Sequence, residues 1–166
     1  SSIPAKKGLP SIGLVMTGGT IASKVDPKTG GVKPISDTAD LANIYPELFS
    51  LVNVKRIETP FMLLSEDMGP EHWIKLAESI KKLLDDSDIE GVIVTHGTDT
   101  LHYTAAALSF FLKPSKPVVL TFAQRSIDRG GSDATLNLEC AARFVLSDCA
   151  EVVIVGHANL DDDYCY

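Results

Sequence analysis

Short apolar runs and longer apolar stripes take turns along this chain, and that alternation sets the expected architecture. Ser11 to Met16 is a mostly apolar run, Gly91 to Thr95, Val118 to Phe122 and Glu151 to Val155 repeat its character, and the more polar Asn53 to Thr59 returns as a further strand. All five are short and carry β-branched residues, so they read as strands. Between them, apolar positions recur at helical spacing. Trp73, Ala77, Ile80 and Leu84 follow Pro70, which suits a first helical turn, and predict a helix closed off by Asp85, Asp86 and Asp88. Tyr103 to Leu112 predicts the next helix, broken by Lys113 to Pro117. Asp133 to Ser147 predicts another, with Leu136, Cys140, Phe144 and Val145 inward. A shorter helix is expected after Ser36, Asp37 or Thr38, any of which can cap it, with Leu41, Ile44 and Leu48 as its apolar contacts. Trp73 and the Phe110-Phe111 pair read as core. Five strands alternating with helices imply right-handed crossovers and a mostly parallel sheet covered on both faces: a three-layer α/β, Rossmann-like (flavodoxin-like) fold.

The segments that interrupt this pattern carry the polar chemistry. Residues Ser1 to Pro10 read as a linker or tail, so order is expected from Ser11 and one domain over 11–166. Thr17-Gly18-Gly19-Thr20 is a tight turn after the first strand, where backbone amides can meet a ligand. Lys24 to Pro34, with Asp26-Pro27 and Gly30-Gly31, reads as a mobile surface loop or lid. Ser65-Glu66-Asp67 marks a strand-to-helix loop. His96 to Thr100 follows the most β-branched run: Gly97 permits a sharp turn, and Thr98 and Asp99 set a hydroxyl beside a carboxylate at a strand's carboxyl end, where open α/β sheets bind ligands. Thr20 and Thr98 are thus expected at one sheet edge. A threonine hydroxyl is a weak nucleophile until a base or a lowered pKa activates it, so the pair with nearby acidic groups suggests acyl transfer. Either threonine alone is more often a turn residue bonded to its own backbone.

Composition narrows the classes. With 166 residues and 45% hydrophobic content the chain can bury one substantial core. A formal charge of −7 without a Lys/Arg cluster argues against a free-standing nucleic-acid binder. Cys140, Cys149 and Cys165 have an odd count and no CxxC spacing, so reduced thiols in a cytoplasmic protein are expected rather than disulfides or zinc. No apolar run approaches the roughly 18 residues of a membrane span, and the polar N-terminus lacks a signal-peptide core. Neither G-x-G-x-x-G, a P-loop lysine nor G-x-S-x-G is present, which disfavours nucleotide binding and the serine-hydrolase elbow. His96, Asp99 and His102 match no standard metal spacing. His96 is expected to pack or hydrogen-bond near the site, and His102 to cap or face solvent. Arg125, Asp128, Arg129 and Asp133 form either a loop-stabilising ion-pair cluster or a substrate or partner surface.

Thr17-Gly18-Gly19-Thr20-Ile21-Ala22 and Thr95-His96-Gly97-Thr98-Asp99-Thr100 resemble the two signature sequences of the bacterial-type L-asparaginase/glutaminase family, in the same order. Ser65-Glu66-Asp67-Met68 is similar to its third conserved element, and the resemblance runs from Ser11 through essentially the whole chain. Ala123-Gln124-Arg125-Ser126, Asp128-Arg129, Ser132-Asp133-Ala134, Asn137-Leu138, Tyr103 to Phe110 and Asp163-Tyr164-Cys165 resemble most one branch of the family, the asparaginase-like subunit named D of archaeal glutamyl-tRNA(Gln) amidotransferase. Gly8-Leu9-Pro10 resembles that branch's linker from a small preceding domain.

The resemblance implies an amidohydrolase acting on the side-chain amide of glutamine or asparagine through an acyl-enzyme, without metal or cofactor. It implies Thr20 as nucleophile, Thr98 and Asp99 as a second catalytic group, and Asp99 also as a partner of the substrate α-amino group. Ser65 and Glu66 would hold the α-carboxylate and α-amino ends, backbone at Gly97 and Ala123 would complete the pocket, and the amides of Gly19 and Thr98 would face the oxyanion. The implied partners are a small-molecule substrate, further copies of the full-length chain in a homodimer or higher oligomer, the amidotransferase's other subunit, named E, and tRNA indirectly; no membrane is involved. The alternatives are a free L-asparaginase and a catalytically dead amino-acid-binding or interaction module. The second follows from the lack of a tyrosine in Lys24 to Pro34, where Thr29 is the only hydroxyl. The family's catalytic lysine lies shortly beyond the region matching Asp163-Tyr164-Cys165, with a smaller C-terminal domain after it. This chain is therefore expected to be an N-terminal catalytic domain, nearly inert by itself.

Overall fold

In the computed structural model the described residues are 3–26, 28–35, 37–125, 132–159 and 162–166. Along them lie β1 (Ser11–Met16), β2 (Ser23–Val25), β3 (Val32–Pro34), α1 (Thr38–Ile44), α2 (Leu48–Leu51), β4 (Asn53–Glu58), α3 (Pro70–Leu84), β5 (Val92–Thr95), α4 (Leu101–Phe111), β6 (Val118–Thr121), α5 (Ala134–Val145) and β7 (Val152–Ile154). Among the described residues β4, β1, β5, β6 and β7 form one sheet in that order, and every neighbouring pair is parallel. Counted along the chain, the order is 2-1-3-4-5, the flavodoxin-type doubly wound arrangement.

Successive side chains of a strand point to opposite faces, and the core divides accordingly. Ile12, Leu14, Met16, Ile93 and Val119 pack with Leu41, Leu48, Leu138, Ala141 and Val145 from α1, α2 and α5. Val15, Val92, Val94, Val118 and Leu120 pack with Leu76, Ile80 and Leu83 of α3 and Leu108 of α4. Each such buried Leu or Ile contributes about 1.5–3 kcal/mol relative to an exposed one. β5 and β6 are buried along their whole length, as their unbroken apolar runs require. α3 starts at Pro70, and the ring of His72 accepts a hydrogen bond from the Gly69 N–H at 3.0 Å.

Four regions depart from the sequence reading. The segment expected as a loop contains an antiparallel hairpin, β2 with β3, in which Ser23 faces Pro34 and Val25 faces Val32. Its turn is closed by Gly30 N–H to the Asp26 carbonyl at 2.8 Å, with Gly30 at φ +68°. The glycine pair marks a hairpin turn, and its strands, three residues each with β2 half-buried and β3 exposed, are too short to carry an apolar pattern. The expected short helix is two: Asp37 caps α1 by accepting from Asp40 N at 2.8 Å, and Leu48 belongs to α2, beyond Pro46. Of the other two candidate caps, Thr38 is the first residue of the helix itself, and Ser36 lies outside the described residues.

α5 is rotated from its expected face. Ala134, Asn137, Leu138, Ala141, Ala142 and Val145 are buried, while Leu136, Cys140 and Phe144 are only partly so. Polar anchors set this rotation, since Asn137 Nδ2 donates to the Phe122 carbonyl at 2.9 Å. Phe110 and Phe111 are not core: they are 87% and 53% exposed. α4 is apolar on nearly every side, so periodicity cannot choose its face, and the sheet takes Leu101, Thr104 and Leu108 instead. Trp73 is half-buried and His102 is exposed.

The stretch before β1 is tied to the domain. Asn53 accepts from Lys6 N at 2.8 Å and donates to the carbonyls of Lys6 and Leu9 at 2.9 and 3.0 Å. Cys140, Cys149 and Cys165 are free thiols. Among the described residues no helix is long and apolar enough to cross a membrane.

Candidate functional site

In this strand order the connections leaving β1 and β5 depart toward opposite faces of the sheet, and a crevice opens between the two strand ends. β1 and β5 are adjacent, with Met16 opposite Thr95. Thr17 extends the pairing, donating to the Thr95 carbonyl through its N–H at 3.3 Å and its hydroxyl at 2.8 Å across 78 residues of sequence. The two polar turns therefore begin side by side.

A cleft of about 330 Å³ opens at this end of the sheet. The loop after β1 brings Gly19 and Thr20 to it, the loop after β4 Leu64, Ser65 and Glu66, the loop after β5 Gly97, Thr98 and Asp99, and the loop after β6 Ala123 and Gln124. All eight residues singled out in the sequence line this one cleft. Leu64 and Gln124 join them, and only their adjacency to Ser65 and Ala123 signalled it.

Glycine lets these loops touch. Gly18 has φ +127°, and a Cβ there would stand 2.2 Å from the Leu63 carbonyl oxygen, so no other residue allows the first loop to cross the second. Gly97 packs against Ser65, where a Cβ would meet Ser65 Oγ at 2.9 Å. Ser65, 3% exposed, ties the second loop to the third: its Oγ accepts the Asp99 N–H at 3.1 Å and its carbonyl accepts the Thr100 hydroxyl at 2.7 Å. The Ser65 hydroxyl proton stays available to a ligand. Beneath Thr20, which opens a short 3₁₀ turn, buried Tyr45 donates to the Ile21 carbonyl at 2.8 Å. Burial, with the charge of Asp133 adding to it, holds the Tyr45 phenol protonated.

Behind the third loop, His96 is fully buried. Its Nδ1 lies 2.6 Å from the Gly97 carbonyl and its Nε2 lies 2.8 Å from Thr104 Oγ1, which also accepts the Trp73 indole N–H at 3.0 Å. Burial lowers the His96 pKa, only partly offset by the Gly97 carbonyl, so the ring is neutral.

The fourth loop has a different support. Asp133, 4% exposed, accepts the N–H of Gln124 at 2.9 Å and of Arg125 at 2.9 Å, and lies 2.5 Å from His157 Nε2. Burial opposes its ionisation, but the two amides and His157 outweigh that and hold its pKa below the usual carboxylate value. Asp133 is thus spent on a loop backbone from inside the fold rather than displayed in a surface cluster. Asp128 and Arg129, the other members of the expected cluster with Arg125, lie outside the described residues. His157 and Asn137, whose Oδ1 accepts from His157 N at 3.0 Å, complete this layer without any motif to announce them.

Chemically the cleft offers two hydroxyls, Thr20 and Thr98, and two exposed carboxylates, Glu66 and Asp99. Among the described residues no protein group accepts the N–H of Gly19, Thr20 or Thr98. Nor do the described residues contain a cluster of three or more His, Cys, Asp or Glu able to hold a metal ion. At this switch-point cleft the two carboxylates can meet a cationic group and the unpaired amides can meet an anionic one.

The profile described as "Asparaginase, N-terminal" matches residues 11–162, and the chain belongs to this asparaginase family. It is 50% identical over 167 residues to the glutamyl-tRNA(Gln) amidotransferase subunit named D of Thermococcus kodakarensis, covering 98% of this chain and 37% of that protein. It is 51% identical over 160 residues to the same-named protein of Archaeoglobus fulgidus, covering 96% of this chain and 38% of that one. The crystal structure of a probable cytoplasmic L-asparaginase from Campylobacter jejuni superposes with a TM-score of 0.74 at 30% identity, over 94% of this chain and 52% of that one. The chain thus spans little more than a third of the length of the curated relatives it matches.

Proposed function

We propose that this chain is the amidohydrolase domain of a glutamyl-tRNA(Gln) amidotransferase subunit, releasing ammonia from glutamine for a partner subunit that amidates Glu-tRNA(Gln). The observation that carries the reading is the gathering of Thr20, Thr98, Asp99, Ser65 and Glu66 in one cleft, in a chain about half identical to proteins named as that subunit. Glu66 and Asp99 take the substrate's α-ammonium group, and the Ser65 hydroxyl donates to its α-carboxylate. Thr20 Oγ attacks the side-chain carbonyl, and the N–H groups of Gly19 and Thr98 hold the oxyanion. The carbon–nitrogen bond then breaks. The proton from Thr20 goes to the departing nitrogen by way of the Thr98 hydroxyl, and ammonia leaves an ester on Thr20. Water hydrolyses that ester to glutamate and restores the hydroxyl.

The test measures ammonia release from glutamine and asparagine by the full-length protein, with and without its partner subunit and Glu-tRNA(Gln). Glutamine hydrolysis dependent on both additions is expected, and Thr20→Ala is expected to lower it at least roughly 10³-fold, by analogy with loss of one member of a catalytic triad. Rapid asparagine hydrolysis without tRNA favours the second reading, a free L-asparaginase, which the structural likeness to the Campylobacter jejuni protein supports. Release of ammonia from neither amide overturns both.

A further inference from the structure

We infer that His96 is a positioning residue for the oxyanion-binding amide of Thr98, acting as the neutral Nδ1–H tautomer through the Gly97 carbonyl. The inference rests on the amidohydrolase reading and extends it to a buried ring that does not line the cleft. A carbonyl oxygen only accepts, so the 2.6 Å contact between Nδ1 and Gly97 O requires the proton on Nδ1. A neutral ring then carries a bare Nε2, and the Thr104 hydroxyl donates to it at 2.8 Å. Thr104 Oγ1 in turn accepts the indole N–H of Trp73, which can only donate, at 3.0 Å. The other acceptor within reach of the Thr104 hydroxyl, Met68 Sδ, stands at 4.0 Å, much farther than the ring nitrogen, so the direction runs one way, from Trp73 through Thr104 and His96 to Gly97.

The end of that chain matters because a trans peptide holds its C=O and N–H on opposite sides. The peptide bonds are all trans among the described residues. With the Gly97 carbonyl drawn back to the buried ring, the Thr98 N–H of the same peptide points the other way, on the side where Thr98 is exposed and lines the cleft. Nothing among the described residues accepts that N–H. Gly97 has no side chain to resist rotation of the peptide, so His96 supplies the resistance.

Two substitutions in the full-length protein separate positioning from space-filling. The amide nitrogen of asparagine sits where Nδ1 sits, and that of glutamine where Nε2 sits. Glutamine fills the cavity better, while asparagine keeps the donor to Gly97. His96→Gln is expected to lower kcat roughly 30-fold, less than outright loss of an oxyanion donor. KM for glutamine should change less than about twofold, and His96→Asn should keep kcat within about fivefold. A filler role predicts the reverse ranking, and equal or better activity in His96→Gln overturns the inference. A second measurement needs no substitution: in full-length protein with ¹⁵N-labelled histidine near pH 7, the His96 signals should show a protonated Nδ1 and a bare Nε2. The opposite tautomer also overturns it. An unmutated protein that releases no ammonia refutes the amidohydrolase reading instead, and the tautomer measurement still decides whether the ring holds Gly97 as inferred.

Discussion

The two sides of the cleft are supported by opposite chemistry. The loop after β5 rests on an uncharged relay, His96 and Thr104 with Trp73 behind them. The loop after β6 rests on the carboxylate of Asp133, which takes two backbone amides and faces His157. His96 and Thr104 on one side and Asp133 and His157 on the other are almost completely dry, yet the two supports respond differently to loss of a part. Removing a neutral hydroxyl leaves partners short of one hydrogen bond each, whereas removing a buried charge strands every dipole arranged around it. The side that presents Thr98 is thus built to fail mildly, and the side that presents Ala123 and Gln124 to fail completely.

Asp133→Ala is the most damaging way to test that contrast. It strips the amides of Gln124 and Arg125 and the His157 ring of their common acceptor and is expected to cost about 3–5 kcal/mol of unfolding free energy, read from urea denaturation. Thr104→Val keeps the volume but leaves His96 Nε2 and the Trp73 N–H unpaired, at about 1–3 kcal/mol. Equal costs for these two would erase the distinction between the sides. Trp73→Phe removes only the outermost link, at about 1 kcal/mol, and should leave the Gln124 loop untouched by hydrogen exchange.

Acidification changes no residue and separates the supports by pH. The folded pKa of His96 is depressed, so the unfolded chain binds the proton more readily. Its contribution is full above the unfolded value of about 6.5 and is lost as pH falls from there through the folded value. The Asp133 pKa is also depressed, with its contribution full above about 3.9 and lost below it. Between pH 7 and 5, stability should therefore fall less in His96→Asn than in the unmutated protein; identical slopes would remove His96 from the account.

Much of the sheet was legible in the sequence because buried strands must be apolar throughout. β1 begins at Ser11 and ends at Met16 as its run does, and β5 and β6 sit within theirs. Gly19, Thr20, Gly97, Thr98 and Asp99 were legible for a related reason: they follow closely on those runs, in short turns of glycine, threonine and acidic residues, whereas Ser65 and Glu66 lie well beyond β4 and were marked by the helix start at Pro70. The layer behind the cleft was not. Asp133 meets His157 across 24 residues and Asn137 meets it across 20, and no local spacing encodes such contacts. Phe110 and Phe111 were misplaced because α4 offers apolar side chains all round, leaving Thr104, a polar residue with two hydrogen bonds to make, to mark its inner face.

The bond from Thr17 to the Thr95 carbonyl also carries a consequence for how the protein is made. Its ends lie 78 positions apart, so the chain between them must be synthesised before β1 can meet β5, and closing so long a stretch of chain costs entropy that no contact near Thr20 repays earlier. On the ribosome the first turn therefore exists for a time without the second. During that interval Thr20 has no cleft, and a nascent chain halted before β5 carries the first turn's sequence without any of its surroundings.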